Sequence, residues 1–336
     1  MSGPREPYDR GVMPVHQLPA ARTRRDVRAS LLADAAAGLD AEAFLRRAMR
    51  ALSRVVAFDA GAFATVDPDT LLCTGGVLHG LSPDAMVRFA ELALELQLGT
   101  DGRRDELRVA FARGGRCYGA AYLLRAEGGP GFTEAEAGLV AGLAGDVAEG
   151  LRAALAGSRV GGGERGAGVL VADDAGRVLS ATDAAAAWIE ELGAVPGETL
   201  PTVVHAVIAS ARRRAGGRPG PPAHARLAAP SGTWLTVSAS ALSGDARAWA
   251  VVLEPSRPGD VLALAAEAND LTAREREVLG MLVRGAPDKV VAARLAVSPH
   301  TAREHTGRIL RKFGVRTRGE LQAGLFGAHC GSWLAA

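Results

Sequence analysis

The sequence predicts a multidomain chain, two α+β domains followed by a small all-α domain, and three observations carry that expectation. Runs rich in Gly, Pro and Ser at Gly157–Gly163 and Glu254–Gly259 divide the 336 residues into two longer segments and a short one. Both longer segments mix short apolar strand candidates with helices opened by capping residues. The last segment shows only helical periodicity, with a start or stop signal at each expected helix end.

The first segment, residues 26–156, follows a loose arm over 1–25 that carries Pro, Gly and charges but no apolar stretch of the signal-peptide kind. Asp40 is placed to cap a helix running to about Ala57. Strands are expected at 61–66 and 71–78, then a helix from Ser82-Pro83 to about Leu98. Strands at 107–112 and 117–124 follow, and Thr133-x-x-Glu136 forms a capping box for a helix to about Ala156. This order, with Gly131-Phe132-Thr133-Glu134-Ala135-Glu136 entering the last helix, resembles a GAF domain. The resemblance implies a fold that senses small molecules.

After a linker at 157–165, the second segment spans 166–254. Strands at 168–172 and 177–180 flank Asp173-Asp174-Ala175-Gly176, a hairpin-type turn. Helices at 183–192 and 200–214 precede strands at 224–229, 233–240 and 248–254, with an exposed loop at 216–222. Two strands, helices, then three strands resembles a PAS domain, which implies a sensor and dimerisation fold. A second linker is expected at 255–269.

Residues 270–327 form the all-α domain, with a tail at 328–336. Thr272 and Glu275 make a capping box for a helix whose Val278, Leu279 and Leu282 face inward. Gly285-Ala286-Pro287 stops it. A short helix over about 288–295 places Val291, Ala292 and Leu295 on one side. Ser298 then caps, with Pro299 at the first turn, a helix whose Ala302, Ile309, Leu310 and Phe313 turn inward. Thr317-x-x-Glu320 opens a fourth helix to about Phe326. Two short helices joined by three residues make a helix-turn-helix, whose second helix enters the major groove of DNA.

Leu271-Thr272-x-Arg274-Glu275-x-Glu277-Val278-Leu279, Ala292-x-x-Leu295-x-Val297-Ser298 and Thr301-x-x-x-His305 together resemble the DNA-binding domain of LuxR-type regulators. Geometry and that resemblance assign roles. Arg303 is the first candidate for reading bases, because guanidinium engages guanine O6 and N7 in a bidentate pair, and Glu304 and Gly307 lie beside it. Lys289, Thr301, His305, Arg308, Arg311 and Arg316 are candidates for phosphate contact. The resemblance implies dimerisation through the fourth helix, with Glu320, Leu321 and Leu325 as its residues. Val290 stands where the family often has Glu, Ala302 where it often has Val, and Gly307 where relatives use a longer side chain.

Charge supports a polyanion partner. Residues 270–326 hold eleven Lys/Arg against six Asp/Glu, an excess of five, which leaves −3 on the rest of a chain whose total is +2. Lysine usage excludes more: the two lysines, Lys289 and Lys312, follow no glycine-rich loop, so neither a phosphate-binding loop nor a Schiff-base centre is expected. No nucleophile elbow or metal-ligand cluster stands out, and the reading is not an enzyme and needs no cofactor. Three well-separated cysteines and the lack of a long apolar run point to a cytoplasmic protein without a membrane span. Double-stranded DNA and a second copy of the chain are the expected partners, with a small-molecule effector and RNA polymerase as further candidates.

Each sensor-segment residue also has a plainer reading. His205 is a lone histidine on an alanine-rich helix, read as structural before haem ligand. Cys73 and Cys117 read as buried strand thiols, Asp173-Asp174 as a turn, and Trp188, Trp234 and Trp249 as core or pocket wall. Two rival functions stay open on sequence: a protein-interaction scaffold with a degenerate helix-turn-helix, and a sensor-domain enzyme fused to a DNA-binding module.

Overall fold

The computed structural model describes residues 20–82, 85–89, 105–126, 128–156, 165–194, 200–243 and 248–326. The arm over 1–19, most of the linker at 157–165, the helix expected to run on to Leu98 beyond residue 89, and the tail at 328–336 lie outside the described residues.

The first unit comprises α1 (Ala20–Ala36), α2 (Ala41–Leu52), β1 (Ala60–Val66), β2 (Cys73–His79), β3 (Glu106–Arg113), β4 (Arg116–Leu124) and α3 (Glu134–Ala156). Asp40 accepts the Ala43 N–H at 2.7 Å, and Thr133 and Glu136 close their capping box on each other's backbone. Helix α2 stops at Leu52, short of the expected Ala57, where the Ser53 hydroxyl turns back to the Arg50 carbonyl. The arm expected over 1–25 is helical from Ala20, because Val27 and Leu31 bury completely and Arg28 reaches Asp146 on α3 at 2.7 Å.

The strands form an antiparallel sheet in the order β2-β1-β4-β3, with Phe63 opposite both Val77 and Ala121. Alternation sends Phe63, Val77, Phe111 and Leu123 into a core under α1, α2 and α3. The opposite face, with Ala62, Ala64 and the neighbouring Leu72, Cys73 and Met86, joins the core of the second unit. Burial on both faces explains why β1 reads as a continuous apolar run rather than an alternating one.

The second unit comprises β5 (Gly168–Asp173), β6 (Val178–Ala181), α4 (Asp183–Glu191), α5 (Thr202–Ala215), β7 (His224–Ala228), β8 (Trp234–Ala241) and β9 (Ala248–Pro255). Its five antiparallel strands run in the order β6-β5-β9-β8-β7. Leu170, Leu235, Val237, Val251 and Leu253 pack one face against Trp188 of α4 and Val203, Val204, Val207 and Ile208 of α5. Asp173 forms the expected turn, accepting from the Ala175 and Arg177 N–H groups at 2.9 Å, and Asp174 accepts from the Trp249 indole at 2.8 Å. Gly176 has φ +77°, and a Cβ there would stand 2.7 Å from the His205 ring, so only glycine closes this hairpin beneath α5.

The stretch expected as a linker at 255–269 is helix α6 (Pro258–Ala268), with proline at its first turn. Its Leu264, Ala265 and Ala266 are buried with Trp234 of β8 and Leu271 of the last unit. The alanines and leucines of 262–268 favour helix, and a neighbouring apolar surface makes that propensity count. The last unit contains α7 (Ala273–Val283), α8 (Asp288–Leu295), α9 (Pro299–Lys312) and α10 (Arg318–Phe326). No helix among the described residues is long and apolar enough to cross a membrane.

Candidate nucleic-acid interface

The local chemistry of α7 to α10 follows the capping signals closely. Thr272 and Glu275 form the complete capping box at the start of α7, and Gly285, at φ +79°, ends it. Between α8 and α9 lie Ala296, Val297 and Ser298. Ala296 adopts the left-handed conformation at φ 52°, which turns the chain sharply enough for α9 to cross α8. Ser298 caps α9 by accepting the Thr301 N–H at 3.1 Å.

Ala302, Thr306 and Ile309 form the buried side of α9, beside the half-buried Leu310 and Phe313. His300, Arg303, Glu304, Arg308 and Arg311 are exposed on the other. Arg303 Nε lies 3.3 Å from the Pro299 carbonyl and Arg311 Nε 3.4 Å from that of Gly307, so both guanidiniums lie along their own helix. Glu304 sits between two basic side chains, 3.6 Å from Arg308 and 3.6 Å from His300. A Cβ at Gly307 would meet nothing within 4 Å, so the glycine leaves open space rather than accommodating a neighbour.

The remaining expected contact residues divide by exposure. Lys289, near the start of α8, and Arg316, before α10, are exposed. Thr301 is half-buried, with its hydroxyl 2.9 Å from that of Ser298, so it belongs to the cap as well as to the surface. His305 is half-buried, and its Nδ1 is enclosed without a hydrogen-bond partner. Val290, where a Glu was expected from the resemblance, is 50% exposed and leaves the core undisturbed.

The expected dimerisation residues require correction. Leu321 and Leu325 of α10 are 1% and 4% exposed and lie in this chain's own core with Val278, Leu282 and Ile309. They hold α10 onto α7 and offer no surface to a second copy. Glu320 is exposed, and its carboxylate accepts the Arg316 N–H at 2.8 Å.

Three polar ties between helices were not legible in the sequence. Lys312, the last residue of α9, donates to the buried Glu275 carboxylate at 2.7 Å and to the Asp270 carbonyl at 2.6 Å. Arg318 of α10 bonds the Ala286 carbonyl, Asp288 and Thr306. Arg274 donates to the Leu295 carbonyl at 2.6 Å, closing the end of α8. Burial disfavours the charged Glu275, but Lys312 and the Thr272 N–H and hydroxyl outweigh it and hold the carboxyl below the usual range. The residues involved are far apart in sequence and look like ordinary surface charges, so only the packed helices reveal the ties.

In the sheet units the thiols are shielded. Burial pushes Cys73 up to about 12 and raises Cys117 as well. Trp188, Trp234 and Trp249 are all buried.

A capped helix, a three-residue turn through the left-handed region and a second helix with a basic outer face define a helix-turn-helix domain. Residues 269–323 match the family model described as bacterial regulatory proteins, luxR family, and this C-terminal unit is a LuxR-type helix-turn-helix domain. The nitrate/nitrite response regulator protein NarL of Escherichia coli K12 is 35% identical over 54 residues, which are 16% of this chain and 25% of NarL. The chain thus spans a quarter of the length of the curated relatives it matches. A phage VqmA–DPO complex is 19% identical, covering 52% of this chain and 91% of the phage protein, at a TM-score of 0.20. A Vibrio cholerae VqmA–ligand–DNA complex is 18% identical, covering 48% and 83%, at a TM-score of 0.22. At such TM-scores these likenesses carry no argument about function.

Proposed function

We propose that this chain is a sequence-specific DNA-binding transcription regulator of the cytoplasm, acting as a dimer and without catalysis of its own. The observation that carries the reading is α9. It is the second helix of a helix-turn-helix, its inner side is filled by Ala302, Thr306 and Ile309, and its outer side presents Arg303, Glu304, Arg308 and Arg311 to solvent. A helix of that shape fits the major groove, which admits an α-helix and offers guanine O6 and N7 to an arginine. Arg303 then reads a base edge, with Glu304 and Gly307 beside it. Lys289, Arg308, Arg311 and Arg316 neutralise phosphates, and Thr301 and His305 contact the backbone.

The two sheet units serve as sensors in this reading. Two strands, two helices and three strands in one antiparallel sheet support a PAS-like second unit. Helices, paired strands and the Thr133–Glu136 entry to α3 support a GAF-like first unit. An effector acts by changing how the sensor units hold two recognition helices, whose half-sites lie about one helical turn apart.

The test uses the full chain and duplexes it selects from a random library, with affinity read by fluorescence anisotropy between 50 and 200 mM salt. Four cations per protomer at about −0.9 each give a slope of log K on log salt near −3.6, doubling for a dimer. Selection of no motif together with a flat salt response excludes the reading in favour of an interaction scaffold.

A further inference from the structure

The polar contacts that join the units converge on α6. In the first unit, Asp67 is fully buried just after β1, and its carboxylate takes the Arg226 guanidinium of β7 at 2.9 and 3.1 Å and the Arg226 N–H at 2.8 Å. Arg226 also donates to the Asp260 carbonyl of α6 and to Asp69, each at 2.5 Å. Asp69 in turn pairs with Arg116 of β4, whose Nε lies 2.5 Å from Glu267 of α6. At the far end of α6, Arg152 of α3, its guanidinium oriented by donating to Glu149 at 2.6 Å, donates to the Ala268 carbonyl and lies 3.3 Å from the Asp270 carboxylate.

Asp270 is the joint. It adopts φ 52°, ends α6 and begins the turn into α7, and its carbonyl accepts Lys312 at the end of α9. The first unit therefore grips the side chain of the same residue whose carbonyl holds the recognition helix. Beneath these contacts, Leu155 of α3 and Trp234 of β8 pack into the core that contains Leu264, Leu271 and Val278. None of the contacts named here falls on Arg303, Glu304, Arg308 or Arg311, so docking leaves the DNA-facing side open while holding the domain in place.

We infer that Arg116 and Arg152 are positioning residues for DNA recognition: through Glu267 and Asp270 they clamp α6 and set the direction in which α9 leaves the sensor units. This rests on the proposed dimeric DNA-binding reading. Two half-sites are engaged together only when both recognition helices are held at the right separation and angle. A loosened α6 therefore weakens paired engagement without changing what one helix reads.

The experiment compares wild type, Arg116→Gln and Glu267→Gln as full chains on a selected two-half-site duplex and on the same duplex with one half-site scrambled. Both substitutions break the Arg116–Glu267 pair, and Arg116→Gln also leaves Asp69 to Arg226 alone, but they change net charge in opposite directions. Positioning predicts that both weaken paired-site binding by about tenfold and leave half-site binding within about twofold, since the loss is of preorganisation. Opposite movements, as a long-range charge effect on DNA would give, overturn the inference, as does unchanged paired-site affinity. If wild type binds neither duplex, the proposed function fails, and hydrogen exchange then tests the clamp separately. Faster exchange of the α6 amides in both variants supports it, and unchanged exchange overturns it.

Discussion

Arg303 and Glu275 illustrate two kinds of charged residue in one small domain. Arg303 is exposed and bonds only its own helix, so its guanidinium is available to a base edge. Arg303→Ala is expected to reduce discrimination between the selected site and a scrambled duplex by about 1–3 kcal/mol, measured as the ratio of the two dissociation constants. An equal loss on both duplexes would reassign Arg303 to phosphate contact. Glu275 is buried and held ionised against the cost of burial by Lys312 and Thr272. Its folded pKa lies below the unfolded value, so its contribution is present above about pH 4.3 and disappears as pH falls through the folded value. Urea denaturation at stepped pH is expected to show this acid-side loss in the wild type and a shallower one in Glu275→Gln.

At the scale of elements, α9 carries an unusual residue on its outer side. Gly307 costs about 1 kcal/mol of helix propensity, and the space around its missing Cβ is open. Gly307→Ala is therefore expected to raise stability by about 0.5–1 kcal/mol, read as a shift in the denaturation midpoint at constant slope. An unchanged or lowered midpoint would mean that the glycine serves the backbone geometry of α9. The buried leucines of α10 show the reverse situation. The LuxR-type resemblance implies an interface role for Leu321, and helical periodicity alone cannot tell which apolar surface meets which neighbour. In the fold it faces α7, and Leu321→Ala is expected to cost about 2–5 kcal/mol of domain stability by leaving a cavity.

At the scale of the whole molecule, the first and second units share a core and a buried ion pair. Asp67 is fully enclosed and the Arg226 side chain is 8% exposed. Removing Arg226 strands the enclosed Asp67 carboxylate away from water, at a cost of about 3–5 kcal/mol, whereas removing Asp67 leaves Arg226 still paired with Asp69 and costs less. Arg226→Met is expected to show that loss in urea denaturation, and Asp67→Ala a smaller one because Asp69 stays on Arg226. The double variant should lose much less than the sum, because it leaves no orphaned charge. Strictly additive losses would show that the pair is not coupled across the units.

Strand and helix positions were largely legible in the chain, because alternation, capping boxes and glycine stops act over a few residues. Thr272-x-x-Glu275, Ser298-Pro299 and Asp173-x-x-Gly176 each do locally what their chemistry requires. The outer residues of α9 were legible for the same reason, since a capped helix with a known inner side has a known outer one. Partnership between distant segments was not. That α6 is a packed helix and not a linker, that Leu321 and Leu325 face inward, and that Lys312 and Arg152 meet at Asp270 depend on which surfaces come together. The sequence alone thus determined the elements and the basic face, through short-range sterics and hydrogen bonding. Only the tertiary structure decided how that face is held, because burial and ion pairing are properties of residues brought together from 42 positions apart at Lys312 and Asp270 to 159 apart at Asp67 and Arg226.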